Sequence, residues 1–235
     1  GWILIDPWLT GTCTLPGGQT LFKRTHRCAP SRSLEDVRSP RAIFLTAHFG
    51  DHLHAETLQA LCPQTPVYST KWGVKEARKL GFQNCTSVKA GETVALGDGL
   101  EVHAVGPAFP YAHNSLGFLF TSTSGPGIYF ETHGIRAEVW EELNHSVDIL
   151  VTAVESVRLL GIPLTLGQKR LLQCVQKSEI KRFIPSGTEP ERASGFLPTL
   201  LFTAGSISAF GEAMAELCPQ IAYSPMAVGE RLSLR

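Results

Sequence analysis

Short apolar runs alternating with helical spacing narrow the fold of this chain more than any other feature. Residues 2–5 read as a strand that ends at Asp6-Pro7, and residues 42–46 as a short buried strand. Residues 51–61 have helical spacing (Leu53, Thr57, Leu58, Leu61), with Asp51 placed to cap the helix. A strand over 67–69 and a helix over 71–80, stopped by Gly81, follow. Strands at 86–88, 92–96 and 100–105 come next, the last two joined by the tight-hairpin signal Gly97-Asp98-Gly99. Residues 117–121 and 127–131 form a second hairpin pattern across Ser124-Gly125-Pro126-Gly127. Helical spacing returns at 138–143, 165–176 and 200–217, with strands at 149–154, 182–185 and 231–234. The order is βαβα, a β meander, then alternating β and α. It predicts an α/β chain with two sheets packed face to face and helices outside.

At 235 residues the chain can bury one sizeable core, and one domain over 1–235 is the expectation. Hydrophobic residues make up 43% and charged residues 18%, which marks a globular chain. The formal net charge is zero, so no basic surplus argues for nucleic acid. No apolar stretch is long enough to span a bilayer. The six cysteines are scattered without C-x-x-C, which reads as reduced thiols inside a cell. The chain starts within a strand-like run, "GWILIDPWL", which implies processing or trimming and a missing first strand.

Three histidines and an aspartate crowd seven positions after the 42–46 strand: His48, Asp51, His52 and His54. Here the residues resemble the metallo-β-lactamase superfamily. "ILIDPWL" resembles its early strand and turn, and "FLTAHFGDHLHAETL" falls where it carries H-x-H-x-D-H. "GIYFETHG" resembles its later strand ending in an acidic ligand, and "PMAVGERLSL" its closing segment. The likeness covers most of the chain without the first strand. It is strongest to a cyanobacterial and plant branch that keeps D-H-x-H and an acidic residue followed closely by histidine. It implies a four-layer αββα sandwich of two mixed β-sheets.

The departures matter equally. Over H-x-H-x-D-H this chain reads Ala47-His48-Phe49-Gly50-Asp51-His52, without both early histidines. Where a late histidine follows the strand in the family, it reads Ser186-Gly187-Thr188. The ordinary two-metal site cannot be assembled by direct substitution.

The resemblance implies Asp51, His52 and Glu131 as metal ligands, completed or oriented by His48, His113, His133 or His54, with Asp51 and His54 as catalytic groups. Zinc catalysis needs about three protein ligands and an open position for water, whose pKa falls toward about 7. Hard carboxylate ligands would also admit manganese or iron. Each residue also has a plainer reading. Asp51 can cap a helix, and His52 and His54, two apart, do not face each other on a helix. His48 can be loop surface, and His26, His103 and His145 are read as structural or surface residues. The loop over 10–41, with Phe22, Lys23, Arg24 and Arg27, has the length of a lid or a partner contact.

Two functions of different class stay open. One is a hydrolase with a degenerate site, one ion activating water against an ester, thioester, lactone, amide or phosphodiester. The other is a pseudoenzyme without metal, a structural or binding subunit of a larger protein assembly. The partners are accordingly a small-molecule substrate or an assembly, and the compartment cytoplasm or chloroplast, the latter on family likeness alone.

Overall fold

All four residues of Ala42–Leu45 are buried, as in a strand with neighbours on both edges and packing on both faces. The computed structural model describes residues 1–15, 17–107, 114–186 and 191–233. His113, Gly187 and Thr188 from the sequence reading lie outside them.

Along the chain the strands are β1 (Ile3–Ile5), β2 (Cys13–Thr14), β3 (Lys23–His26), β4 (Ala42–Leu45), β5 (Val67–Ser69) and β6 (Cys85–Ser87). Next come β7 (Thr93–Gly97), β8 (Leu100–Val105), β9 (Gly117–Ser122), β10 (Ile128–Glu131), β11 (Ile149–Ala153) and β12 (Ser156–Leu159). The last are β13 (Ile162–Pro163), β14 (Arg182–Ser186), β15 (Glu191–Ser194), β16 (Leu201–Ala204) and β17 (Ala222–Tyr223). The helices are α1 (Ala55–Gln59), α2 (Lys71–Lys79), α3 (Val139–Glu142), α4 (Gln168–Gln176) and α5 (Ile207–Leu217). The α/β architecture expected from the alternation is what forms.

The chain divides into two units. The first comprises residues 1–89, 114–116 and 190–200. Its main sheet has the order β1-β4-β5-β6, and every neighbouring pair is parallel. Parallel neighbours require crossovers: α1 lies in the one from β4 to β5 and α2 in the one from β5 to β6, while residues 6–41, with β2 and β3, connect β1 to β4. Thr70 caps α2 by accepting from Gly73 N at 3.2 Å. Ile43, Leu45, Leu58, Val67 and Ala77 form the centre of this unit's core. A second sheet, β15-β3-β2, takes two of its strands, β2 and β3, from the 10–41 segment expected to be a loop serving as a lid or a partner contact.

The second unit comprises residues 90–113, 117–189 and 201–235. Its seven-stranded mixed sheet has the order β17-β14-β11-β10-β9-β8-β7. The four strands from β17 to β10 run parallel and those from β10 to β7 antiparallel. Asp98 and Gly99 both have positive φ, as a two-residue hairpin requires. Leu119, Tyr129, Leu150 and Phe183 of the sheet pack with Leu171 of α4 and with Phe210 and Met214 of α5. A small sheet, β13-β12-β16, completes the unit.

Three local expectations are corrected. The helix over 51–61 is only Ala55–Gln59, because the chain is still turning at 49–53, where Leu53 N and His52 N both bond to Phe49 O. The helix over 200–217 is a strand and a helix. Gly205, with φ of 88°, breaks it, and the Ser206 side chain accepts from Ala209 N to start α5. Residues 231–233 form no strand, and Leu234 lies outside the described residues.

The Phe183 side chain is fully buried, 5.1 Å from Phe210 between ring centroids, whereas Phe202 is 63% exposed. Phe183→Ala should therefore cost about 3–5 kcal/mol and Phe202→Ala less than about 0.5 kcal/mol. Urea unfolding followed by circular dichroism measures both.

Candidate metal centre

Asp6 organises the polar end of the first unit's parallel sheet. It follows β1 directly, and its N–H donates to Phe44 O at 3.0 Å, which extends the pairing with β4. Its φ of 44° is in the left-handed region, where a short polar side chain is better tolerated than most. That side chain, 9% exposed, reaches the turn after β4. Oδ1 accepts from Thr46 N at 2.7 Å, and Oδ2 accepts from the Thr46 hydroxyl and from His52 Nδ1 at 2.8 Å.

This arrangement fixes the His52 ring through Nδ1. Nδ1 carries the proton that Asp6 accepts, so Nε2 is directed elsewhere, 3.8 Å from Asp51 Oδ1. Asp51 Oδ2 in turn lies 3.7 Å from Nη1 of Arg24 on β3. Four alternating charges thus run from Asp6 through His52 and Asp51 to Arg24. Burial alone would lower the His52 pKa, but the Asp51 and Asp6 carboxylates outweigh it and push it up to about 9, against the opposing Arg24 charge.

His54 has a different employment. It caps α1 in place of Asp51: its Nδ1 accepts from Thr57 N at 3.3 Å and lies 3.0 Å from Thr57 Oγ1. A backbone bond with Thr12 engages the ring as well, and burial lowers its pKa. Thr57 Oγ1 also accepts from Leu9 N at 2.9 Å, so this cap ties the segment after β1 to the helix. Trp8 lies 5.6 Å from the His54 ring and 3.9 Å from that of His26. The remaining histidine of the loop, His48, lies with its ring centroid 4.4 Å from that of Phe49, the two planes tilted by 32°. Its Nδ1 is buried with no hydrogen-bond partner among the described residues.

Glu131 ends β10 in the second unit, fully buried. Its Oε1 accepts from His133 N at 2.9 Å and from Gly134 N at 3.4 Å, closing the turn that follows the strand. The Tyr129 hydroxyl donates to Oε2 at 3.5 Å, and burial together with the nearby carboxylate raises the Tyr129 pKa far above its ordinary value. A Cβ on Gly117 of the adjoining strand would lie 2.6 Å from Oε2, so that position has to be glycine for the carboxylate to fit. His133 Nδ1 is 3.9 Å from Oε1 and 3.1 Å from Thr132 Oγ1.

The donor chemistry fits a metal ion in part. A carboxylate, an imidazole whose ring is fixed by a second carboxylate, and an orphaned buried imidazole nitrogen are all ligand types for zinc. Yet among the described residues no three His, Cys, Asp or Glu side chains are gathered closely enough to hold an ion. The sequence reading found Asp51, His52 and His48 but missed Asp6 and Thr46. The available signal was an aspartate ending a strand, followed by a proline that stops it. No helix among the described residues is long and apolar enough to cross a membrane.

A model of the beta-lactamase superfamily domain matches residues 1–187. A search of curated protein sequences finds no match. The solved isothiocyanate hydrolase from Delia radicum gut bacteria superposes with a TM-score of 0.72 at 18% identity, covering 99% of this chain and 92% of its own. A possible metal-dependent hydrolase from Veillonella parvula DSM 2008 gives 0.72 at 16% identity, covering 97% and 90%. Igni18, a metallo hydrolase from Ignicoccus hospitalis KIN4/I, gives 0.64 at 14%, covering 97% and 88%. At such identities these likenesses concern the fold alone.

The His52 geometry makes a pH prediction for the metal-free protein. A histidine at about 9 folded and about 6.5 unfolded binds more protons in the folded state between those values. Its contribution, on the order of 3 kcal/mol, is complete below pH 6.5 and is lost as pH rises through about 9. Urea unfolding of EDTA-treated protein at pH 6 and pH 9.5 should show this loss, and Asp6→Asn should remove much of it.

Proposed function

The chain belongs to the beta-lactamase superfamily, and from that premise we propose that it is a metal-dependent hydrolase with an altered site holding one ion. Asp51 and His52 are the ligands the first unit offers, with His48 Nδ1 as a further donor. Glu131, with His133 beside it, is the candidate that the second unit offers. The observation that supports this reading best is the bond from His52 Nδ1 to Asp6. Histidines that bind metal through one ring nitrogen characteristically give the other N–H to a carboxylate or carbonyl.

When bound, zinc, manganese or iron would supply Lewis acidity and a water of lowered pKa. The chain's own groups do the positioning. Asp6 and Thr46 fix the His52 ring, Arg24 holds the Asp51 carboxylate, and His54 fixes the start of α1 and with it the turn that carries both candidate ligands. The scissile bond is an ester, thioester, lactone, amide or phosphodiester. Isothiocyanates join the trial substrates because a neighbour of similar fold is named for hydrolysing them.

A second reading, a non-catalytic binding subunit, is favoured by two specific observations. The Asp51 carboxylate already faces a cation, Arg24, and His54 is engaged by the fold. Mass-spectrometric metal analysis of purified protein, as isolated and after incubation with zinc or manganese, separates the two. The hydrolase reading expects near-stoichiometric metal, lost on Asp51→Ala or His52→Ala, and bound about 10–100-fold more weakly on Asp6→Asn. Glu131→Ala tests the ligand that the second unit offers. A folded wild-type protein that takes up neither metal overturns the proposal in favour of the second reading.

A further inference from the structure

A cavity of about 630 Å³ lies entirely within the second unit and is lined by none of the candidate ligands, although Leu166 on its wall donates its N–H to His133 O at 3.2 Å. Its size is that of small-molecule sites. The floor is apolar and comes from the core: Ile135 and Cys174 are buried, and Leu166 packs against the same cluster. The Cys174 thiol is not available for chemistry, since it donates to Ile135 O at 3.7 Å and burial raises its pKa.

One wall is a face of α4. Residues 170, 173, 174 and 177 recur at spacings of three, four and seven, which brings them to one side of the helix. Buried Cys174 is thereby flanked along the helix by two exposed cations, Arg170 and Lys177. Neither has an acidic side chain within ion-pairing distance among the described residues. The other wall carries Arg136, whose guanidinium is already fixed by Glu142 and by Gly106 O. Glu138 is the one acidic residue lining the cavity.

We propose that this cavity binds a small organic anion, its carboxylate or phosphate received by Arg170 and Lys177 and its apolar part resting on Ile135, Leu166 and Cys174. Two arguments converge. Solvated cations on a helix need no explanation alone, but here they border an indentation whose floor is core hydrocarbon. The charge around it is positive by three cations to one carboxylate, with one of those cations paired outside the site. An anion with an apolar body complements both features, whereas a neutral apolar molecule leaves the rim unanswered.

The test uses the full chain and two-dimensional amide NMR with three probes: phenyl phosphate, benzoate and benzyl alcohol. The expected result is saturable shifts confined to residues 134–138 and 166–177 with at least one of the two anions, and none with benzyl alcohol. Arg170→Gln/Lys177→Gln should weaken that binding by at least about tenfold, since hydrogen bonds to charged groups are worth upward of 1.4 kcal/mol. Arg170→Lys should retain most of it. Asp51→Ala should leave it unchanged, which separates this site from anion capture by a bound metal. The thermal midpoint of each variant establishes that it is folded. Absence of shifts in these segments with both anions overturns the proposal. So do shifts that persist undiminished in the folded double variant, or equal shifts with benzyl alcohol.

Discussion

One carboxylate holds the polar end of the first unit together. Asp6 accepts from the Thr46 backbone, the Thr46 hydroxyl and His52, across an interval of about forty residues. Removing a charge from water is costly unless it is bonded, and Asp6 recovers that cost by meeting both backbone and side-chain donors. The left-handed backbone at Asp6 is tolerable for the same reason, because those bonds over-determine its position. Everything nearby inherits this anchoring: the ring plane of His52 and the direction in which Nε2 approaches Asp51.

The histidines show how a shared residue type is divided among tasks. His52 is oriented by a carboxylate, His54 caps a helix, and His26 packs on Trp8. His103 bridges the hydroxyls of Thr93 and Thr121. His48 retains a buried ring nitrogen without a partner among the described residues. An imidazole whose two nitrogens serve the fold has little left to offer an ion. Crowding in sequence therefore overstates the donors available.

Glu131 shows the same economy in the second unit. Its carboxylate closes the Glu131–Gly134 turn through two backbone N–H groups, and Gly117 on the neighbouring strand leaves it room. The unpaired cations at 170 and 177 stand in contrast, since no neighbouring group in the described structure uses them. Buried polar groups with partners are explained by folding. Exposed charges bordering a hydrophobic floor invite a partner from outside.

Much of the fold was legible because it is local. The strands at 67–69 and 100–105 have the bounds read from the sequence, and the Asp98-Gly99 turn follows from residues that accept positive φ. The break at Gly205-Ser206 was not read, because helical spacing over 200–217 ran across it. The β12–β13 hairpin was not, because its turn uses Leu160 at φ 49°, a conformation that β-carbons ordinarily avoid. The sequence by itself determined the alternation of strands and helices, and its resemblance to a family made Asp51, His52 and Glu131 candidates. Only the tertiary structure decided that Asp6 fixes His52, that His54 takes the cap from Asp51, and that Arg24 faces Asp51. Periodicity records which side of an element is apolar. It carries no information about which distant donor a carboxylate will meet, because that depends on how sheets place residues forty positions apart.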